Sequence, residues 1–423
     1  MTLYLLILSI LVAGPAALTR SRMVFAVVSA AFFVRLGFAL LAGVADDEVV
    51  YEQFAEIFLG DARRNGVWTA LLRQHYWMNN FLVVPAALYS ILWPDLYITR
   101  AFVAAVGSIN VLLTWHLARR LFPASGAPPA LALAVAFWPD AIEFSAMATR
   151  DTLLGCLLLI SLIGSLSIRS GARIGGIAGN AFAMAATFLF RPIQAVALGI
   201  AQSITFFHQR LFVGLAIPLL ILAGGTVACY VHFGVHLHNF LLRQFLGIEW
   251  DRGQGSGKSD TSGERNLPPT APTSDDVSIR FVRSMPPGLD GAASFSINLL
   301  RPSPAGVLVQ PSWSRLFQSI KGLGWYMLLP LILAGIPGLV RQGKQIAWPV
   351  LVLCFAFVAW AFLPQAILRD PTRLRLQALP LYLLVGWLGL QAIRDSQQAR
   401  RAVVVGYSFL GVLTTIYLVV KLT

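Results

Sequence analysis

Charge is what this sequence has least of. Asp, Glu, Lys and Arg together make up 12% of its 423 residues, too little to clothe a soluble protein of this length in polar surface. Acids are scarcer than bases, 19 against 32. The basic excess is scattered singly and in pairs, with no stripe or nucleic-acid motif, so nucleic acid is not expected as a partner. Cysteine is scarce too. Cys156, Cys229 and Cys354 stand singly in apolar stretches, which excludes a disulfide framework and a cysteine-built metal set. No repeat period interrupts the chain.

What the sequence does have is apolar length. Hydrophobic residues make up 57% of it, and the mean hydropathy is +0.71. Runs of about 20 apolar residues, the length that crosses a bilayer core as helix, recur throughout. The expected fold is all-α: a polytopic integral membrane protein, a helical bundle of about 11–13 transmembrane helices. The predicted spans are 2–18, 23–44, 98–118, 127–144, 151–168, 174–190, 192–208, 211–231, 321–340, 346–363, 376–392 and 401–420. The first lacks a basic leader and a cleavage site, and reads as a retained helix. The stretch 80–93, broken by Pro85 and Pro94, reads as an interfacial or re-entrant helix.

Short basic loops set the orientation. Arg20 and Arg22, Arg119 and Arg120, Arg169 and Arg173, Arg210, Arg341 with Lys344, and Arg394 with Arg400 and Arg401 fall between alternate spans. The positive-inside rule puts them in the cytoplasm. Every acid except Asp395 then faces outward. The resulting organisation is 1–44, N-terminal helices; 45–97, a first outer loop; 98–231, a transmembrane module; 232–320, a long outer loop; and 321–423, C-terminal helices. Within the long loop, 251–276 is rich in Gly, Ser, Pro and charge.

Three carboxylates, Asp46, Asp47 and Glu48, stand side by side where an apolar run ends. Like charges at contact repel, so a cation or a transferable proton is expected beside them. The motif reads D47-E48-x-x-Y51-x-x-x-A55, with Asp47, Tyr51 and Ala55 on one helical face. Such carboxylates serve as general base, metal ligand or acceptor-binding group, or simply start a helix where acids favour the macrodipole. A second outer turn, "WPDAIEFSAMATRDTLLG", holds Asp140, Glu143, Arg150 and Asp151; Asp151 is either functional or a helix cap. Cations on that side are Arg369, Arg373 and Arg375 in "LRDPTRLRLQALP", and Arg191 before Pro192. Arg35 lies within a span, where snorkelling is difficult. His232, His236 and His238 lack completing ligands and are not expected to bind metal.

In these motifs the chain resembles the C-type (GT-C) membrane glycosyltransferases, in particular bacterial relatives of protein mannosyltransferases and aminoarabinose transferases. The resemblance runs through D-E-x-x-Y-x-x-x-A, "NNFLVVPAALYSIL", "ITRAFVAAVGSINVLLTWHLARRLF" and "AFWPDAIEFSAMATRDTLLGCLLLISL", with "RLRLQALPLYLL" near the end. It covers about 23–210 and 365–390; residues 232–320 match nothing in that family, and Asp46 is an additional acid. The resemblance implies transfer of a sugar from a polyprenyl-phosphate donor to a lipid, glycan or protein acceptor. The site would lie on the periplasmic or exterior face of a bacterial inner membrane. Asp47 would be the general base, Glu48 would orient the acceptor or assist the base, and Asp151 would be a second acidic site residue. Arg373 and Arg375, with Arg191 and Arg35, would bind the donor phosphate. Asp46, Tyr51, Glu143 and Arg150 would contact the acceptor or support the site. A divalent cation, Mg or Mn, is compatible with the paired acids, though no fixed ligand set is visible. The competing readings are an O-antigen ligase or polymerase type, relying more on arginines; a transporter or lipid-linked sugar flippase, marked by ionisable residues within spans and helices broken near the midplane; and a catalytically inert scaffold subunit.

Overall fold

The structure, a computed structural model, describes residues 2–67, 70, 80–122, 127–169, 173–208, 216, 219–220, 223–224, 308, 313–341 and 371–422. Among these are thirteen α-helices and no strand. The chain is an all-α polytopic membrane protein. Six helices are long and apolar enough to cross a membrane, and three shorter ones are apolar. Predicted span 346–363, the outer segment 232–307 and the three histidines lie outside the described residues, as does predicted span 211–231 apart from 216, 219–220 and 223–224.

Helices α1 (Thr2–Leu18) and α2 (Arg22–Leu41) pack together and against α5 (Leu96–Leu121). Between α2 and α5 come α3 (Asp46–Asn65), a 3₁₀ turn (Asn80–Leu82) and the short α4 (Val83–Ile91). Pro85 is tolerated because it sits in the first turn of α4, where backbone N–H groups have no intrahelical acceptor. Then follow α6 (Ala127–Phe137), α7 (Pro139–Ser145), α8 (Asp151–Arg169), α9 (Arg173–Phe190), α10 (Pro192–His208), α11 (Trp313–Arg341), α12 (Pro371–Asp395) and α13 (Gln397–Leu422).

Three boundaries depart from expectation. The predicted span 127–144 is two helices, broken at Trp138. Pro139 has no N–H to give Val135, and its ring crowds that carbonyl, so the helix restarts with Pro139 in its first turn. Helix α11 begins at Trp313, ahead of the predicted 321, so the end of the long outer loop is helical and Lys321 lies inside a helix. Helix α12 begins at Pro371, which brings Arg373 and Arg375 out of the loop and into its first turns.

Lipid provides little hydrophobic drive between helices, so small residues and polar contacts must hold them. Helices α11 and α12 approach at Gly335 and Gly389: a Cβ on the first would collide with the Val385 carbonyl, and one on the second with that of Leu331. Helices α8, α9 and α10 share a buried polar cluster. The Ser161 hydroxyl donates to Asn180 Oδ1 at 2.6 Å, Asn180 Nδ2 to Gln202 Oε1 at 3.0 Å, and Gln202 Nε2 to Asn180 Oδ1 at 2.6 Å. Ser161 is about 15 Å along α8 at 1.5 Å per residue, near the middle of the bundle.

Candidate functional site at one end of the bundle

Four carboxylates, Glu48, Asp140, Glu143 and Asp151, lie on or against the segment from Pro139 to Asp151. Three clusters meet this segment, each bringing in a different helix.

The first is built on Glu48. It is the third residue of α3, whose first turn is Asp46-Asp47-Glu48, where carboxylates suit the helix dipole. Ala45, at the N-cap, has no side-chain acceptor to offer. Glu48 instead reaches back to accept the Ala45 N–H at 2.9 Å. Its carboxylate also accepts Arg100 Nε at 2.9 Å and Nη2 at 2.7 Å, and the Ala148 N–H at 2.5 Å. Four bonds use the acceptor capacity of both oxygens. Arg100 is equally occupied: Nη1 donates to Ala39 O and Ala42 O, and Nη2 to Gly43 O, so it also caps the C-terminal carbonyls of α2. Both side chains are fully buried. Arg100 is the cation that the acidic run required, and Glu48 is a positioning residue that ties α2, α3, α5 and the turn before α8 together.

Tyr51 and Ala55 continue the buried face of α3. The Tyr51 ring meets Phe81 edge-on at 5.1 Å, and Ala55 packs with Phe58, Leu82 and Tyr89. Both side chains are buried in this packing. Asp46 and Asp47 occupy the first two helical positions of α3; their side chains lie outside the described residues, as does that of Arg373.

The second cluster centres on Asp151, the first residue of α8 and 2% exposed. Gln377 Nε2 of α12 donates to Asp151 Oδ1 at 2.6 Å, and Arg191 Nη1 lies 3.7 Å from the same oxygen. Gln194 Nε2 donates in turn to Gln377 Oε1. One carboxylate thus joins α8, the α9–α10 junction and α12, far more than capping a helix requires. Arg191 is buried beside it. Arg150, next in sequence, is half-buried.

The third is Lys321 of α11, fully buried, with Nζ 3.1 Å from Asp140 Oδ1 and 2.6 Å from Glu143 Oε2. Trp138 Nε1 donates to the other Asp140 oxygen at 3.2 Å.

The expected phosphate ligands divide. Arg375 lies with its guanidinium 4.5 Å from the centre of the Trp325 ring, which meets Tyr382 edge-on. Arg35 faces inward, fully buried. Its Nη1 donates to Ala31 O and Ala136 O, and Nη2 to Val135 O. Val135 is the carbonyl that Pro139 cannot bond, so Arg35 caps the broken end of α6. In this position both Arg35 Nη atoms serve the scaffold.

Around the rim, Glu52 of α3 has its carboxyl pKa raised by partial burial and then by neighbouring Glu56, Asp95 and Glu48. Among the described residues, no three His, Cys, Asp or Glu side chains come together as a metal set. Sequence reasoning left Arg100, Lys321, Gln194 and Gln377 off the site. A shared signal marks Arg100, Gln194 and Gln377: each is a polar or charged residue within about two turns of the outer start of an apolar helix. Lys321 carried it only relative to the predicted span, since α11 starts earlier.

No model of a known protein family matches the chain, and no curated protein matches it.

Proposed function

We propose that this protein is a membrane glycosyltransferase that moves a sugar from a polyprenyl-phosphate carrier to an acceptor hydroxyl at the outer end of the bundle, in a bacterial inner membrane. The observation that carries the reading is the convergence on Pro139–Asp151 of carboxylates and cations from five helices and the α9–α10 junction, at one end of an apolar bundle. A lipid-borne donor and a polar acceptor can meet only at such a boundary. Asp47, one residue before the anchored Glu48, is the general base that takes the acceptor proton as the hydroxyl attacks the anomeric carbon. The sugar–phosphate bond breaks with the electron pair passing to phosphate, whose growing charge needs cations. Arg375 and Arg373 fill that role. They lie in the first turns of α12, where free backbone N–H groups also favour an anion. Asp151 and Arg191 form the floor, and Glu48 with Arg100 fixes the start of α3.

Transfer from a synthetic polyprenyl-phosphate sugar by the purified chain in liposomes tests the reading. Turnover that falls by roughly 10²–10⁴ in Asp47→Asn supports it; near wild-type turnover overturns it. A second reading, movement of a lipid-linked sugar across the membrane, draws on the Ser161–Asn180–Gln202 cluster in mid-bundle. Flipping of a fluorescent lipid-linked sugar by the same liposomes, undiminished in Asp47→Asn, would favour it.

A further inference from the structure

Against Asp151 lies a cavity of about 20 Å³, bounded by Arg35 of α2, Gly107 and Asn110 of α5, Asp151 and Thr152 of α8, and Pro380 of α12. Three of its walls carry buried polar atoms without a hydrogen-bond partner among the described residues: Arg35 Nε, Asn110 Oδ1 and Thr152 Oγ1. The side chains are respectively 0%, 8% and 5% exposed. Their other polar atoms are engaged. The Arg35 Nη atoms hold the end of α6, and Asn110 Nδ2 donates to Thr152 O at 3.0 Å. That last bond also fixes the amide orientation, because reversing it would set oxygen against oxygen. Unpaired polar atoms in a membrane interior are costly, and three around one space call for a common ligand.

The chemistry of the three atoms selects that ligand. Arg35 Nε–H only donates, Asn110 Oδ1 only accepts, and the Thr152 hydroxyl does either. A cation would face the Arg35 guanidinium. An anion would face the Asn110 oxygen and the Asp151 carboxylate in the wall. Water both donates and accepts, and a cavity of this size admits little else. The geometry points to a structural water site that bridges Arg35, Asn110 and Thr152. Water there accepts from Arg35 Nε–H, donates to Asn110 Oδ1 and exchanges a hydrogen bond with Thr152 Oγ1. It keeps an intramembrane arginine hydrated and joins α2, α5 and α8 against Asp151. Close approach at Gly107 shapes the site: a Cβ there would lie 3.0 Å from Arg35 Nε and 2.9 Å from Ser145 Oγ. The inference does not depend on which reaction the outer end performs.

The sign of a stability change tests it. Thr152→Val keeps the shape of the side chain and removes the hydroxyl. In a dry cavity this relieves an unpaired polar group and raises the thermal midpoint; around bound water it removes a bond and lowers it. The full chain in detergent is expected to lose about 2 °C or more in Thr152→Val, while Thr152→Ser stays near wild type. An unchanged or raised midpoint for Thr152→Val overturns the site. A cryo-electron microscopy map of the wild-type chain in lipid nanodiscs, good enough to show ordered water elsewhere, supplies the second measurement. A peak at about 2.7–3.2 Å from both Arg35 Nε and Asn110 Oδ1 is expected. Direct closure of these side chains on one another, or no peak, refutes it.

Discussion

Glu48 and Arg100, 52 residues apart in sequence, form a two-point ion pair at 2.9 and 2.7 Å with neither side chain exposed. Removing one partner strands the other as a buried, uncompensated charge. Glu48→Ala is therefore expected to cost about 3–5 kcal/mol. The double variant Glu48→Gln with Arg100→Met should cost less than the sum of its parts, because the residues share one network. Unfolding midpoints in detergent measure both. Full additivity would mean that the pair does not hold the outer end together.

Asp151 is anchored by Gln377 and Arg191, and Asp151→Asn distinguishes a helix cap from a site residue. A cap alone is worth about 1 kcal/mol and leaves turnover close to normal. Under the proposed function, turnover falls by tenfold or more in a protein that still folds. Gln377→Leu should reproduce part of that fall by releasing the carboxylate. Single-turnover transfer on folded, purified variants checks both.

Arg375 carries charge and also stacks on Trp325. Arg375→Ala should weaken donor binding and slow transfer together, because the phosphate gains charge as the sugar leaves. Arg375→Lys keeps the charge but loses the planar stack, and should recover only part of the affinity. Donor titration against turnover separates the two effects; wild-type donor affinity in Arg375→Ala would remove the residue from the phosphate site.

Glu52 predicts a pH dependence. Its folded-state pKa is raised, so the folded chain holds this proton more tightly than the unfolded chain does. The resulting stabilisation is complete below the unfolded carboxylate value, about 4.3, and is lost as pH rises through the raised folded value. Glu52→Gln should make the midpoint less sensitive to pH across that window. An identical pH profile in the variant would show that the acidic rim does not couple to folding.

Topology is testable by labelling. In a background lacking Cys156, Cys229 and Cys354, Asp260→Cys should react with an impermeant thiol reagent in intact cells, and Ser396→Cys only after lysis. Labelling of Asp260→Cys only after lysis would invert the bundle and remove the site from the outer face.

The sequence by itself determined what depends on neighbours along the chain. Apolar runs of bilayer length mark α2, α5, α8 and α12. The triple acid begins α3 because carboxylates suit a helix N-terminus. Tertiary structure alone decided which charges meet. Arg100 was an unremarked residue in a span until packing of α5 against α2 carried it to Glu48. Lys321 reaches Asp140 and Glu143 only because α11 starts earlier than its hydropathy suggests and lies against α7. The D-E-x-x-Y-x-x-x-A spacing was legible, yet the division of labour within it was not, because a carboxylate's role depends on what fills its acceptor positions. Four bonds from three separate segments fill those of Glu48. Arg35 shows the same limit: its depth was readable, but its direction was set by the carbonyl that Pro139 leaves free on another helix. Hydropathy is summed along one helix, whereas pairing depends on the rotation and register of several.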